Sequence, residues 1–129
     1  MRTLLALMMS LILLGGCAST ETVRESRGEG TTKLYSVNFE NVYAAALRAA
    51  ESEKLDIVAT DENAGRIDLS HGVTWWSWGE RISVFVTGVS AGETEVEIVS
   101  EPVMAPLNFP PDWEGRLFKA IDRELNVAE

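Results

Sequence analysis

Residues 37–70 read VNFENVYAAALRAAESEKLDIVATDENAGRIDLS, and this stretch decides the fold. Asn38 stands where a helix N-cap belongs, with a side-chain oxygen able to accept from an orphan backbone amide. Phe39, Val42, Tyr43, Ala46, Leu47 and Ala50 follow at spacings of three and four. That period predicts an amphipathic helix, and its other side carries Glu40, Asn41, Arg48 and Glu51. The period then drops to two. Residues 55–60 (LDIVAT) read as a strand with Leu55, Ile57 and Ala59 on one face. Residues 61–65 (DENAG) read as a turn, and residues 66–70 (RIDLS) as the returning strand with Ile67 and Leu69 inward.

The flanks extend this pattern. Residues 33–37 (KLYSV) predict a strand before the helix. Residues 80–87 (ERISVFVT) alternate, with Ile82, Val84 and Val86 on one side, and residues 88–93, with two glycines, read as a hairpin loop. Residues 94–100 (TEVEIVS) set Val96 and Ile98 against Glu95 and Glu97. Such a run of strands predicts an antiparallel meander, whose second strand could extend into the tryptophans that follow residue 70. Residues 101–111 (EPVMAPLNFPP) hold all four prolines, a density that no helix or strand interior tolerates. Asp112 is placed to cap a last helix, in which Trp113, Leu117, Ile121 and Leu125 recur every four residues and Phe118 fills the stripe. One apolar stripe per helix and one apolar face per strand predict an α+β fold. The expected architecture is a two-layer sandwich, β-α-β-β-β-β-α, with an antiparallel sheet of four to five strands and two helices on one face.

Residues 1–17 read MRTLLALMMSLILLGGC and belong to a different physics. Arg2 and the amino terminus are positive, and residues 4–14 are apolar except for Ser10. As a helix that run would span roughly 16 Å, about half of a bilayer's hydrocarbon core. It reads as the apolar region of an export signal and not as a membrane span. Residues 14–17, LGGC, resemble the lipobox of bacterial lipoproteins. The resemblance implies that Cys17 receives a diacylglyceryl group, that the chain is cut before it, and that the new amino group is acylated. An ordinary secretory signal with a chance cysteine is the other reading. In that family an aspartate after the cysteine favours inner-membrane retention, so Ala18 implies the periplasmic face of the outer membrane. Residues 18–32 (ASTETVRESRGEGTT) contain one apolar β-branched residue, Val23, and cannot bury enough surface to offset ordering entropy. They are expected to form a tether with an rms reach of ~20 Å. The expected organisation is thus signal 1–16, lipidated Cys17 and tether 17–32, and a single domain 33–129.

Twenty acidic against eleven basic side chains give a net charge of −9. That balance argues against nucleic acid, which needs a basic face, and keeps a tethered domain soluble. Catalytic signals are sparse. His71 is the one histidine, so any His-based metal site or nucleophile relay would rest on it alone, and a structural role is expected. Cys17 is the one cysteine, and the lipobox resemblance implies that lipid consumes it. No GxxxxGK[ST] or GxGxxG run is present. Asp61-Glu62-Asn63 lacks the alternating ligands and closing glutamate of a calcium loop and reads as a turn. Glu95 and Glu97 read as a solvated strand face. No catalytic residue, metal or cofactor is expected.

Residues 71–79 (HGVTWWSWG) pack Trp75, Trp76 and Trp78 into four positions. Continued strand parity would send Val73 and Trp75 to the helix side, and Trp76 and Trp78 to the outer face with Phe85 and Val99. Such an apolar patch marks a partner surface. Alternatively the tryptophans pack under the proline-rich loop, against Met104, Leu107 and Phe109. Trp75, Trp76, Trp78, Phe85 and Phe109 are the candidate partner-binding residues.

The strand end at Val37, the helix from Phe39, and LDIVATDENAGRIDLS with its Gly65-Arg66-Ile67 strand start resemble the small lipoprotein domains related to BamC. BamC is an accessory lipoprotein of the outer-membrane β-barrel assembly machine. The later alternating strands and the last helix extend the likeness over most of residues 33–126. It implies the α+β fold. With catalytic signals sparse and the tryptophan patch as a partner surface, the expectation is a non-enzymatic, protein-binding or accessory module with an envelope protein as partner and a membrane attachment through lipid. The alternative expectation is a carrier of a small apolar ligand, held in a pocket under the proline-rich loop.

Overall fold

Asn38 caps helix α1 (Phe39–Ser52) in a computed structural model that describes residues 28–73, 79–103 and 111–127. The cap's side-chain oxygen accepts the Asn41 amide at 2.9 Å. Strand β1 (Thr31–Tyr35) precedes the helix. After it come β2 (Asp56–Asp61), β3 (Arg66–His71), β4 (Glu80–Ser90), β5 (Glu93–Pro102) and helix α2 (Trp113–Leu125). The strands form one sheet in the order β1-β5-β4-β3-β2, each neighbouring pair antiparallel. β2 to β5 are a meander, while β1 joins at the far edge beside β5.

That order dictates what α1 must do. The chain leaving β1 has to cross the whole sheet before β2 can begin. Five strands at ~4.8 Å spacing set the two edges ~19 Å apart. A helix of 14 residues is ~21 Å long. α1 is as long as the crossing. α2 begins at Asp112, whose carboxylate accepts the Gly115 amide at 3.0 Å, and ends at Asn126 in the left-handed region (φ 54°).

Both helices cover one face of the sheet, giving the expected two-layer α+β sandwich. Ile67, Leu69, Ile82, Val84, Val86, Val96 and Ile98 fill the space beneath them. Ala45, Ala46, Ala49 and Ala50 let α1 lie close to α2 and the sheet. Complete burial of one side chain such as Ile98 contributes about 1.5–3 kcal/mol, so this layer carries the stability. The exposed pairs between the helices, Arg48–Glu124 at 2.9 Å and Arg116–Glu53 at 2.8 Å, contribute about 0–1 kcal/mol each. Charge also goes inside. Asp122 on α2 is buried and accepts from the Tyr35 hydroxyl at 2.8 Å and from Lys33 Nζ at 2.8 and 2.7 Å.

The structure departs from the sequence reading in three places. Ile57 faces the core side with Leu69, but a bulge at Val58 turns Ala59 to the opposite face, beside Asp68. All six residues of β2 are exposed, because this strand is a sheet edge. The glycine-containing stretch 88–93 is not one loop: pairing runs through Gly88 to Ser90, with a register shift there that absorbs Val89. β1 also begins at Thr31, taking in two residues that composition assigned to the tether.

Candidate functional site

The face of the sheet away from the helices has no described helix over it, and the groove it carries is the candidate site. Alternation puts Arg66, Asp68 and Ser70 of β3 on this face, with Arg81, Ser83 and Phe85 of β4 and Glu95, Glu97, Val99 and Glu101 of β5. A groove of about 410 Å³ runs between β2 and β5, lined by Val58, Arg66, Asp68, Arg81, Ser83 and Glu101 among others. The bulge builds its wall, because the extra residue, Val58, stands on this face at 65 % exposure.

One end of the groove is locked. Arg66 Nε donates to both carboxylate oxygens of Asp68, at 3.0 and 2.9 Å, and Ser83 Oγ donates to the same carboxylate at 3.3 Å. The hydrogen bond to Asp68 raises the Arg66 pKa above its ordinary value, outweighing burial, which works against the charge. At the other end Arg81 and Glu101 are exposed and lie directly opposite each other on β4 and β5. The groove therefore offers one fixed ion pair, one cation and one carboxylate able to reorient, and apolar walls. Such a lining suits a polypeptide segment that brings hydrogen bonds and charge.

A second feature adjoins it where β3 ends and β4 begins. His71 Nδ1 lies 2.8 Å from Glu80 Oε2, and the Glu80 carboxylate is fully buried. The His71 ring packs 4.8 Å from that of Trp113, and the Arg116 guanidinium lies 4.4 Å from the Trp113 ring centre. Gly79, at φ +102°, accepts the Val103 amide at 2.9 Å. The roots of the tryptophan stretch and of the proline-rich stretch are thus tied together at one corner of the sheet.

Against the sequence candidates, the outcome is uneven. Cys17, Trp75, Trp76, Trp78 and Phe109 lie outside the described residues. So do Met104 and Leu107, and with them the roof of any pocket under the proline-rich loop. Phe85 and Val99 share the outer face as parity requires, but they are 4 % and 5 % exposed and present little surface. Glu97 departs from expectation, since it is 6 % exposed rather than solvated. The Gly28 amide donates to its Oε2 at 2.6 Å, so the chain entering β1 comes in over β5. His71 is engaged by Glu80 and Trp113, and among the described residues no hydroxyl or thiol hydrogen-bonds its ring. Asp61 accepts the Ala64 amide at 3.1 Å, as a turn residue does. Among the described residues no group of three or more His, Cys, Asp or Glu could hold a metal, and no helix is long and apolar enough to cross a membrane.

Arg66, Asp68, Arg81 and Glu101 were not singled out from sequence. The alternation that sent Ile67 and Leu69 inward implies their outward direction, but strand order, which gathers them into one groove, is not written in any single segment. No protein-family model matches the chain, and no curated protein matches it.

Proposed function

We propose that this chain is a non-enzymatic, lipid-anchored envelope lipoprotein. Its lipid is on Cys17, its domain faces the periplasm from the outer membrane, and its open sheet face holds a protein partner. The order of elements is the β-α-β-β-β-β-α order read from the sequence, and the apolar run ending in LGGC suits a lipoprotein signal. The observation that carries the reading is the groove on the face with no described helix over it, with Arg81 and Glu101 exposed at the end away from the Arg66–Asp68 pair. The charged side chains Arg66, Asp68, Arg81 and Glu101 along that lining favour a protein segment that brings charge of its own.

Two measurements test it. Metabolic labelling with radioactive palmitate should label the chain, and Cys17→Ser should abolish the label and release the protein from membranes. An unlabelled wild type removes the anchor from the account. A photo-crosslinking residue in place of Ser83 should then trap a discrete envelope protein in cells, while one in place of Glu51, on the exposed side of α1, should not. Arg81→Glu, or Trp76→Ser with Trp78→Ser, should weaken the adduct at nearly unchanged thermal stability. Equal trapping from both positions counts against the groove.

A further inference from the structure

We propose that the open sheet face is also a docking site for this chain's own residues 18–27, held there by Arg24 and Arg27 against the Glu97 carboxylate and the Phe85 ring. Neither the lipid nor the partner is needed for this docking, and among the described residues the Glu97 charge has no counterion. Glu97 is 6 % exposed, and its described partner is the Gly28 amide. Among the described residues no Lys, Arg or His forms an ion pair with it. A buried carboxylate is costly unless it is both hydrogen-bonded and paired. Beside it in register stands Phe85, 4 % exposed on a face with no described helix.

Chain continuity says what can reach this spot. Gly28 already sits on Glu97, and Gly30 lies hard against β5, where a Cβ would come within 2.2 Å of the Ile98 carbonyl oxygen and 2.8 Å of Val99 Cγ2. The chain therefore enters β1 from above the outer face, and the residue bonded to Gly28 is Arg27. Arg24 lies three positions further back. A guanidinium above an aromatic ring is attracted within roughly 6 Å of its centre, and Glu97 supplies the opposite charge. Glu93 and Glu95 continue the acidic row on the same strand face, both exposed. Docking through Arg24 would shorten the free link to Cys17 from ten residues to six. Its rms reach would fall from ~17 Å to ~13 Å, and the domain would leave its anchor in a fixed direction.

Residues 17–129 carrying Cys17→Ser and a nitroxide on Val23→Cys provide the test, read by paramagnetic broadening of backbone amides. Broadening should concentrate on Phe85, Thr87 and Val99, spare Ala45 and Ala49 of α1, and spread out in Arg24→Ala/Arg27→Ala. Glu97→Gln, which keeps an acceptor for Gly28 but loses the charge, should act in the same direction. Broadening that is uniform, that falls on the helices, or that stays localised in the double-alanine variant overturns the proposal. So does broadening seen when spin-labelled, isotope-free protein is mixed with unlabelled, isotope-enriched protein, which would make a second copy the occupant.

Discussion

Gly65→Ala should lower the unfolding free energy by ~3 kcal/mol or more, the largest loss expected from so small a change. Gly65 sits at φ +67°, a region that costs an L-residue about 1–2 kcal/mol. It also closes the β2–β3 turn directly against β4. Its carbonyl accepts the Val86 amide at 2.6 Å, and a Cβ would stand 1.9 Å from the Val86 carbonyl oxygen. That oxygen belongs to the backbone of a central strand and cannot step aside as a side chain can. The turn would have to lift from β4, leaving the Val86 amide unsatisfied at a further cost of about 1–3 kcal/mol. For a domain of this size the loss corresponds to ~12 °C or more in Tm. Gly92→Ala is the control, since nothing lies within 4 Å of the added methyl, and it should stay within about 0.5 kcal/mol. Thermal unfolding of the two variants side by side decides the matter. Equal Tm values would mean that the turn is not seated on β4.

The same glycine shows how far the sequence could be read. Turn chemistry in DENAG and the shift from a period near four to a period of two located the hairpin, both helices and the fold class, because each is a local signal. Partner strands are not local. Nothing within residues 31–35 says that β1 pairs with β5 at the far edge, or that α1 must therefore bridge the sheet. The bulge at Val58 was equally hidden, since a strict alternation of Leu55, Ile57 and Ala59 fits a regular strand as well as a bulged one. The groove depends on that bulge and on strand order together, so its charged residues could be assigned to a face but not to a site. The Gly28 amide that holds Glu97 and the seat of Gly30 against Ile98 and Val99 of β5 are tertiary contacts made by residues whose composition reads as tether.

Lys33→Met should cost about 3 kcal/mol at neutral pH, although the residue it replaces is partly exposed. The reason lies in the partner. Asp122 is 3 % exposed and is held by Lys33 Nζ at 2.7 Å and by the Tyr35 hydroxyl at 2.8 Å. Without the ammonium, a buried carboxylate keeps a single phenol donor, and an uncompensated charge is the expensive outcome. Asp122→Asn should cost less, because the freed Lys33 head is 37 % exposed and can turn to water. Replacing all three groups at once, with Lys33→Met, Tyr35→Phe and Asp122→Leu, should recover most of the loss, since an apolar set of similar volume needs no desolvation to be repaid. Tyr35 adds a dependence on pH. Its burial first, and then the hydrogen bond and negative charge of Asp122, push its pKa above the ordinary tyrosine value. A group raised on folding contributes stability that is complete below its unfolded pKa of about 10 and is lost as the pH climbs beyond it. Wild-type stability should therefore fall in alkali above pH ~10. Tyr35→Phe should flatten the fall without abolishing it, because burial raises Tyr43 in the same direction. Chemical denaturation at neutral and alkaline pH separates the cases. If Lys33→Met and Asp122→Asn cost the same and the triple variant costs their sum, the three groups do not act as the single buried unit that ties β1 to α2.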